Sequence, residues 1–189
     1  MTSENWINQY LDAEVKLIRS LPTDQITALI DIFEKAHSRD SQIFLFGNGG
    51  NAASASHLAC DLGKGASDVL KKRFRVITLN DNAAWLTALG NDYAYEDIFM
   101  RQLENYARPG DVVLSGSVSG NSPNLVKAFE WANAQELTTV SITSSRRGRM
   151  SDLATLPIVL TDEHYGRVED MQMMIYHLIA FWFIENKSA

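Results

Sequence analysis

Ile43-Phe44-Leu45-Phe46, then Gly47-Asn48-Gly49-Gly50, then a helical pattern from Asn51 to about Leu62 form the stretch on which the fold turns. An unbroken apolar run suits a strand buried on both faces, as in a parallel sheet covered by helices. The unit then recurs. Residues 76–79 predict a second strand, with helices over 83–89 and 95–105. Residues 111–114 predict a third, followed by the turn Ser117-Val118-Ser119-Gly120-Asn121-Ser122 and a helix over 123–134. Strands at 137–142 and 156–160 and a last helix over 166–185 complete the pattern. Two helices come first. One carries Trp6, Ile7, Tyr10, Leu11, Val15 and Ile18 at helical spacing and stops at Leu21-Pro22; the other starts at Thr23 or Asp24 and carries Ile26, Leu29, Ile30, Ile32 and Phe33. Alternating strands and helices predict an α/β class: a three-layer α/β/α sandwich around a five-stranded parallel sheet, with N-terminal helices. No repeat or second domain is visible, so 1–189 reads as one domain.

The bulk composition narrows the function. With 46% hydrophobic and 21% charged residues, the 189-residue chain is an ordinary globular protein. A formal charge of −6 argues against a general nucleic-acid binder, which carries an excess of Lys and Arg. The single cysteine, Cys60, cannot pair within the chain and suits a reducing, cytoplasmic setting; it reads as a small packing residue. The polar start Met1-Thr2-Ser3-Glu4-Asn5-Trp6 is not a signal peptide. No apolar run reaches the roughly 18–20 residues that a membrane span needs, so no membrane partner is expected.

In parallel sheets ligands bind beyond the carboxyl ends of the strands. The Gly47–Gly50 and Ser117–Ser122 loops both lie at such ends, and each opens a helix. Helix N-termini and serine hydroxyls attract anions. With no Lys in the serine loop and no Walker pattern, the guest is a single phosphate on a small molecule; the bland alternative is an ordinary capped turn. His57 and Asp61 share a helix face four residues apart, which suits a metal site, an acid–base pair or a surface hydrogen bond. Polar groups recur on the last helix at Glu169, Asp170, Gln172 and His177. Glu169 and His177 stand eight apart, about 12 Å along a straight helix, so either the helix start is distorted or, as the oligomer argument favours, the two groups that meet come from different subunits, with His177 facing the carboxylate across the contact. Residues 171–184 of that helix are apolar nearly all round, which implies subunit association and a site shared between subunits. Asn91 and Asp92 are candidates to line the cleft. Ser144-Ser145-Arg146-Arg147-Gly148-Arg149 follows the fourth strand and could attract an anionic substrate, whereas Lys71-Lys72-Arg73-Phe74-Arg75 reads as solvated. Gly47-x-Gly-x-x-Ala52 also fits a loose dinucleotide fingerprint, but Asp81 lies too far along for the ribose contact.

Phe46-Gly-Asn-Gly-Gly50, His57 with Asp61, Asn91-Asp92, Gly110-Asp111 and Ser117-x-Ser-Gly-Asn-Ser122, in this order and spacing, resemble the sugar isomerase (SIS) domain family, and within it the phosphoheptose isomerases. The resemblance spans nearly the whole chain. It implies a flavodoxin-like SIS fold, a homotetramer with active sites at subunit contacts, in which 1–38 serve oligomer contacts and 41–189 form the sugar-phosphate core. The implied reaction interconverts sedoheptulose 7-phosphate and a heptose 7-phosphate aldose, often with zinc. By position, Asp61 would be the base and His177 the acid; His57, Asp61, Glu169 and His177 would approach the metal. Ser117, Ser119 and Ser122 would hold the phosphate, with Asn48, Gly49, Gly50, Asn51, Asn91, Asp92 and Glu169 around the sugar. The chain departs from the family pattern where Asp61 replaces Glu, Glu169 replaces Gln, Val118 replaces Thr and Asn51 replaces Ser. These changes bear on which sugar is taken. A non-catalytic sugar-phosphate or initiator-binding regulator of the same fold is the alternative; such proteins tend to lose the acid–base pair that Asp61 and His177 preserve.

Overall fold

The computed structural model describes residues 1–186, so the last residues of the expected 41–189 core lie outside the described residues. Along the chain, α1 (Ser3–Arg19) and α2 (Thr23–Arg39) lead into β1 (Ile43–Phe46) and α3 (Gly50–Cys60). A π-helical turn (Asp61–Ala66) and α4 (Ser67–Val69) extend α3 before β2 (Val76–Thr78) and α5 (Ala83–Asp92). A 3-10 turn (Tyr95–Asp97) and α6 (Met100–Tyr106) precede β3 (Val112–Ser117), α7 (Pro123–Ala134), β4 (Thr138–Thr143), α8 (Gly148–Leu153), β5 (Leu156–Val159) and α9 (Tyr165–Asn186). All strand pairings are parallel, in the order β2-β1-β3-β4-β5. Both faces of the sheet are buried by side chains that alternate along each strand. Ile43, Leu45, Val112, Leu114, Val140 and Ile142 face a core shared with α2, α3 and α9. Phe44, Phe46 and Val113 face a second core under α6 and α7, where Phe46 stacks on Phe99.

Two elements differ from the sequence expectation. The helix expected to stop near Leu62 continues to Val69, because Leu62 and Ala66 are buried and Ser67 Oγ donates to the Leu62 carbonyl at 2.8 Å. Gly63 and Gly65 are thus tolerated inside a helical stretch, in its widened π segment. The single helix expected over 95–105 is split into the 3-10 turn Tyr95–Asp97 and α6 (Met100–Tyr106), with Ile98 and Phe99 buried between them.

The order of strands creates the ligand position. From the adjacent strands β1 and β3, α3 leaves to one face of the sheet and α7 to the other. Their N-termini therefore flank a crevice at the carboxyl end of the sheet, the switch point of an open α/β fold.

Candidate functional site

Gly47–Gly50 and Ser117–Ser122 wall a cavity of about 290 Å³ at that switch point. Of the residues singled out by the sequence, Asn48, Gly49, Gly50, Asn51, Ser117, Ser119, Ser122 and Glu169 line it. The serines are set as donors. Ser117 Oγ accepts the Gly120 N–H at 3.1 Å and Ser119 Oγ accepts the Asn121 N–H at 3.3 Å, which leaves each hydroxyl proton for a guest. Ser122 occupies the N-cap of α7 without a side-chain cap bond, so its hydroxyl too is uncommitted. Among the described residues no Lys or Arg lines the cavity, and the anion-attracting potential there comes from hydroxyls and helix ends. Asn51 Oδ1 is buried with no donor and can accept from a sugar hydroxyl. Gly116 makes room for it: a Cβ there would collide with Asn51 Oδ1 and lie 2.9 Å from the Tyr176 hydroxyl. Burial pushes the pKa of the Tyr176 phenol upward, so it stays neutral.

Further along the seam between α3 and α9 stands a second group. His177 Nε2 lies 3.1 Å from His57 Nε2, and Asp61 Oδ2 lies 3.2 Å from His57 Nε2 and 3.8 Å from His177 Nε2. Asp61 Oδ2 is buried, yet no donor reaches it in hydrogen-bond geometry. A carboxylate oxygen beside two imidazole nitrogens and without a donor fits a divalent cation, which would satisfy all three groups. The imidazoles are half exposed, at 50% for His57 and 44% for His177, so the group is open on one side in a single chain.

The expected fourth metal ligand is elsewhere. Glu169 places its carboxylate 3.2–3.4 Å from where a Gly50 Cβ would stand, beside the N-terminus of α3, where the helix dipole favours its charge. His177, expected to meet the base across a subunit contact, meets Asp61 within one chain, because α3 and α9 lie side by side. Asn91 and Asp92 are not in the cavity; they are exposed at the end of α5 and bond to each other at 2.9 Å. The arginines after β4 are engaged with carboxylates rather than held for an anion: Arg146 with Glu163, Arg149 with Glu130 and Arg147 with Asp152. The backbone of that turn instead braces the serine loop, through Met150 N–H to the Gly120 carbonyl at 2.9 Å and Ser144 Oγ to the Val118 carbonyl at 2.6 Å. Cys60 is exposed rather than packed, on a groove beside the edge strand β2. Tyr165 and Gly116 belong to the cavity wall and were not picked out by sequence; a lone Tyr before a helix and a Gly inside a strand carry no signal of their own.

The start of α9, which carries Glu169 and His177, is pinned by ion pairing. Arg167 donates to Asp162 through Nε at 2.7 Å and through a terminal nitrogen at 3.0 Å. These bonds, with backbone N–H groups of His164 and Glu163, hold the Asp162 pKa down to about 2. From α1, the Tyr10 hydroxyl donates to Asp170 at 3.2 Å; burial, then the Asp170 charge, push the Tyr10 pKa up to about 12.

The chain is similar to known proteins along most of its length. The model of the SIS domain matches residues 8–144. A phosphoheptose isomerase of Clostridium acetobutylicum is 32% identical over 94% of this chain and 90% of its own length. One from Akkermansia muciniphila is 37% identical over 74% of each chain. The solved structure of a phosphoheptose isomerase from Francisella tularensis superposes with a TM-score of 0.90 at 21% identity, covering 98% of this chain and all of that one (100%).

Proposed function

The chain belongs to the SIS domain family, and on that premise we propose that it is a phosphoheptose isomerase, interconverting sedoheptulose 7-phosphate and a heptose 7-phosphate aldose. The observation that carries this reading is the pairing of a donor-lined anion cavity with an imidazole–carboxylate group along one seam. The separation suits the substrate. From Gly50 to His57 and from Glu169 to His177 the seam advances about 10–12 Å at helical rise. An extended chain advances about 1.1–1.2 Å per bond, so the roughly eight bonds from C1 to phosphorus of an open heptose 7-phosphate span about 9–10 Å. The phosphate at the serines thus leaves C1 and C2 near Asp61 and His177.

The chemistry follows from these groups. Both imidazoles approach Asp61 at Oδ2, which leaves Oδ1 as the basic oxygen. Asp61 takes a proton from C1 of the ketose while His177 gives one to the C2 oxygen, forming the 1,2-enediol. Asp61 then returns its proton to C2 while the C1 hydroxyl gives its own to His177, which yields the aldose and restores both groups. Asn51 and Glu169 accept from sugar hydroxyls and fix the chain between the two ends. His57, Asp61 and His177 are the residues that would hold zinc: ligands about 2.0–2.1 Å from a tetrahedral zinc stand roughly 3.3 Å apart, and these donors stand 3.1, 3.2 and 3.8 Å apart. Bound there, zinc would take the Nε2 lone pair of His177 and would supply, as a Lewis acid at the sugar oxygens, the charge stabilisation that the His177 proton gives in its absence.

Subunit association completes the reading. Trp6, Ile7, Leu11, Val15 and Ile18 form an exposed apolar stripe on α1, and Leu178, Phe181 and Trp182 another on α9. Both suit a homotetramer with sites near subunit contacts. The free thiol of Cys60 suits a cytoplasmic setting, and no helix among the described residues is long and apolar enough to cross a membrane.

A coupled assay on sedoheptulose 7-phosphate tests the proposal. Turnover is expected in the unmodified enzyme, and Asp61→Asn should lower kcat by about 10²–10⁴. Equal turnover by the two proteins would overturn the assignment of the base. No turnover of the heptulose would overturn the substrate.

A further inference from the structure

Between the glycine loop and the N-terminus of α7 stand two asparagines that bond to each other twice. Asn48 Nδ2 donates to Asn124 Oδ1 at 2.9 Å, and Asn124 Nδ2 donates to Asn48 Oδ1 at 2.9 Å. Asn124 is 1% exposed, whereas Asn48 is half-buried and forms part of the cavity wall. The pair spans the switch point, joining loops whose helices leave to opposite faces of the sheet.

The orientation of both amides is forced. The Leu125 backbone N–H, shared with the Ser122 carbonyl at 3.0 Å, donates to Asn124 Oδ1 at 3.0 Å. A backbone N–H cannot accept, so this contact decides which end of the Asn124 amide is oxygen. Asn124 Nδ2 must then face Asn48 Oδ1, and Asn48 Nδ2 must face back. Turning either amide over would set N–H against N–H and oxygen against oxygen, at a cost far above that of a lost bond. The Tyr95 hydroxyl donates to the same Asn48 oxygen at 3.4 Å, but because it can also accept it adds nothing to the choice of orientation. Asn48 Nδ2 carries two protons. One is held in the pair, and the other remains for the cavity that Asn48 lines.

We propose that Asn124 is a positioning residue of the anion cavity: it holds Asn48 so that the ligand meets an N–H donor at this wall and never a carbonyl. The inference rests on the phosphosugar reading of the cavity. A phosphate dianion accepts hydrogen bonds only, so a wall that could flip to present oxygen would repel it. Asn124 touches neither the ligand nor the reacting carbons and acts only through Asn48.

The test is a double-mutant cycle with Asn124→Ala and Asn48→Ala, read by calorimetric titration with inorganic phosphate and by kinetics on sedoheptulose 7-phosphate. Each single variant should bind phosphate about tenfold more weakly, the worth of a hydrogen bond to a charged group. KM should rise in parallel while kcat stays within about threefold, because the proton-transferring groups lie about two helical turns away. The double variant should be no weaker than Asn48→Ala alone. Losses that multiply, or an Asn124→Ala enzyme with unchanged phosphate affinity and KM, would overturn the inference. The unmodified protein supplies a readout free of folding effects. In its NMR spectrum one Asn48 side-chain amide proton should exchange slowly with solvent until phosphate is added, when both should; fast exchange of both throughout would equally overturn it. A protein that binds phosphate with this pattern but does not isomerise the heptulose would refute the enzymatic reading and leave the role of Asn124 standing.

Discussion

Replacing Gly120 with alanine tests how the serine loop is held, and the structure sets the size of the effect. Gly120 has φ +64°, and a Cβ there would collide with the Arg147 carbonyl oxygen and lie 2.9 Å from the Arg147 carbonyl carbon and 3.1 Å from Gly148 Cα. These are backbone atoms of the turn that braces the loop, so no side chain can swing aside. The left-handed conformation costs an L-residue about 1–2 kcal/mol, and overpacking adds about 1–3 kcal/mol. Together they remove about 2–5 kcal/mol from a domain stability of about 5–15 kcal/mol. For a chain of this size that corresponds to a fall in Tm of about 4–20 °C. Gly110→Ala is the internal control. Its φ is +88° but nothing lies within 4 Å of the added carbon, so only the backbone cost of about 1–2 kcal/mol applies. Urea unfolding of the two variants should separate the terms, and KM for the phosphosugar should rise in Gly120→Ala alone. Equal shifts in the urea midpoint, or an unchanged KM in Gly120→Ala, would refute the claim that backbone contact with the Arg147 turn shapes the serine loop.

Glu14 has its pKa raised from 4.5, first by burial and next by the Asp170 charge, with Tyr10 also facing it and Arg167 opposing the shift. The folded state therefore binds the proton more tightly than the unfolded state, and stability falls as pH rises above 4.5 through the folded value. Glu14→Gln should raise Tm at pH 7, with the gain vanishing below pH 4.5 in a pH series of thermal melts. Asp162 has the opposite sign: its pKa is lowered from 3.8 to about 2, so Asp162→Asn should cost stability above 3.8, an effect lost as pH falls toward 2. Zinc titrated into the metal-free protein should bind at least about tenfold more weakly to His57→Ala, measured by calorimetry; unchanged affinity would remove His57 from the metal group. Leu11→Lys, in the middle of the exposed α1 stripe, should lower the mass seen by light scattering toward that of one chain, and an unchanged mass would remove α1 from the interface.

The fold was legible because its signals are long and redundant. The run Ile43–Phe46 carries no polar residue to confuse its strand, and Pro123 marks the first turn of α7 in the manner helices favour. The cavity at the switch point was legible for the same reason: most of its wall lies in two short contiguous loops. What escaped depended on contacts between distant segments. The pairing of Asn48 with Asn124 spans 76 positions, and an Asn in the first turn of a helix gives no hint of a partner. Glu169 shares the terminal helix with His177, but only the lie of α9 against α3 shows that one reaches the Gly50 end and the other the Asp61 end. The π-helical turn was hidden because Gly63 and Gly65 look like a helix stop, and their tolerance comes from tertiary burial of Leu62 and Ala66.

On the proposed function, the terminal helix would couple chemistry to association. Along α9, Val168, Met171, Ile175, Ile179 and Phe183 are buried in the core, and Glu169 and His177 are delivered to the two ends of the seam. The remaining face is apolar without cover: Leu178 borders the shallow recess beside His177 and, with Trp182 and Ile18, lines a groove against the N-terminal helices. Leu178 is common to both, so apolar side chains lead from the α1 side toward the open edge of the His57–Asp61–His177 group, with Asp170, Thr27 and Glu185 among them. A carboxylate base and an imidazole acid work best where water is excluded and charge interactions are strong, and half-exposed imidazoles lack that shelter in one chain. A second subunit seated on this face would bury the stripe and close the site in the same step, so an association that hid the apolar side of α9 would also dry the acid–base pair.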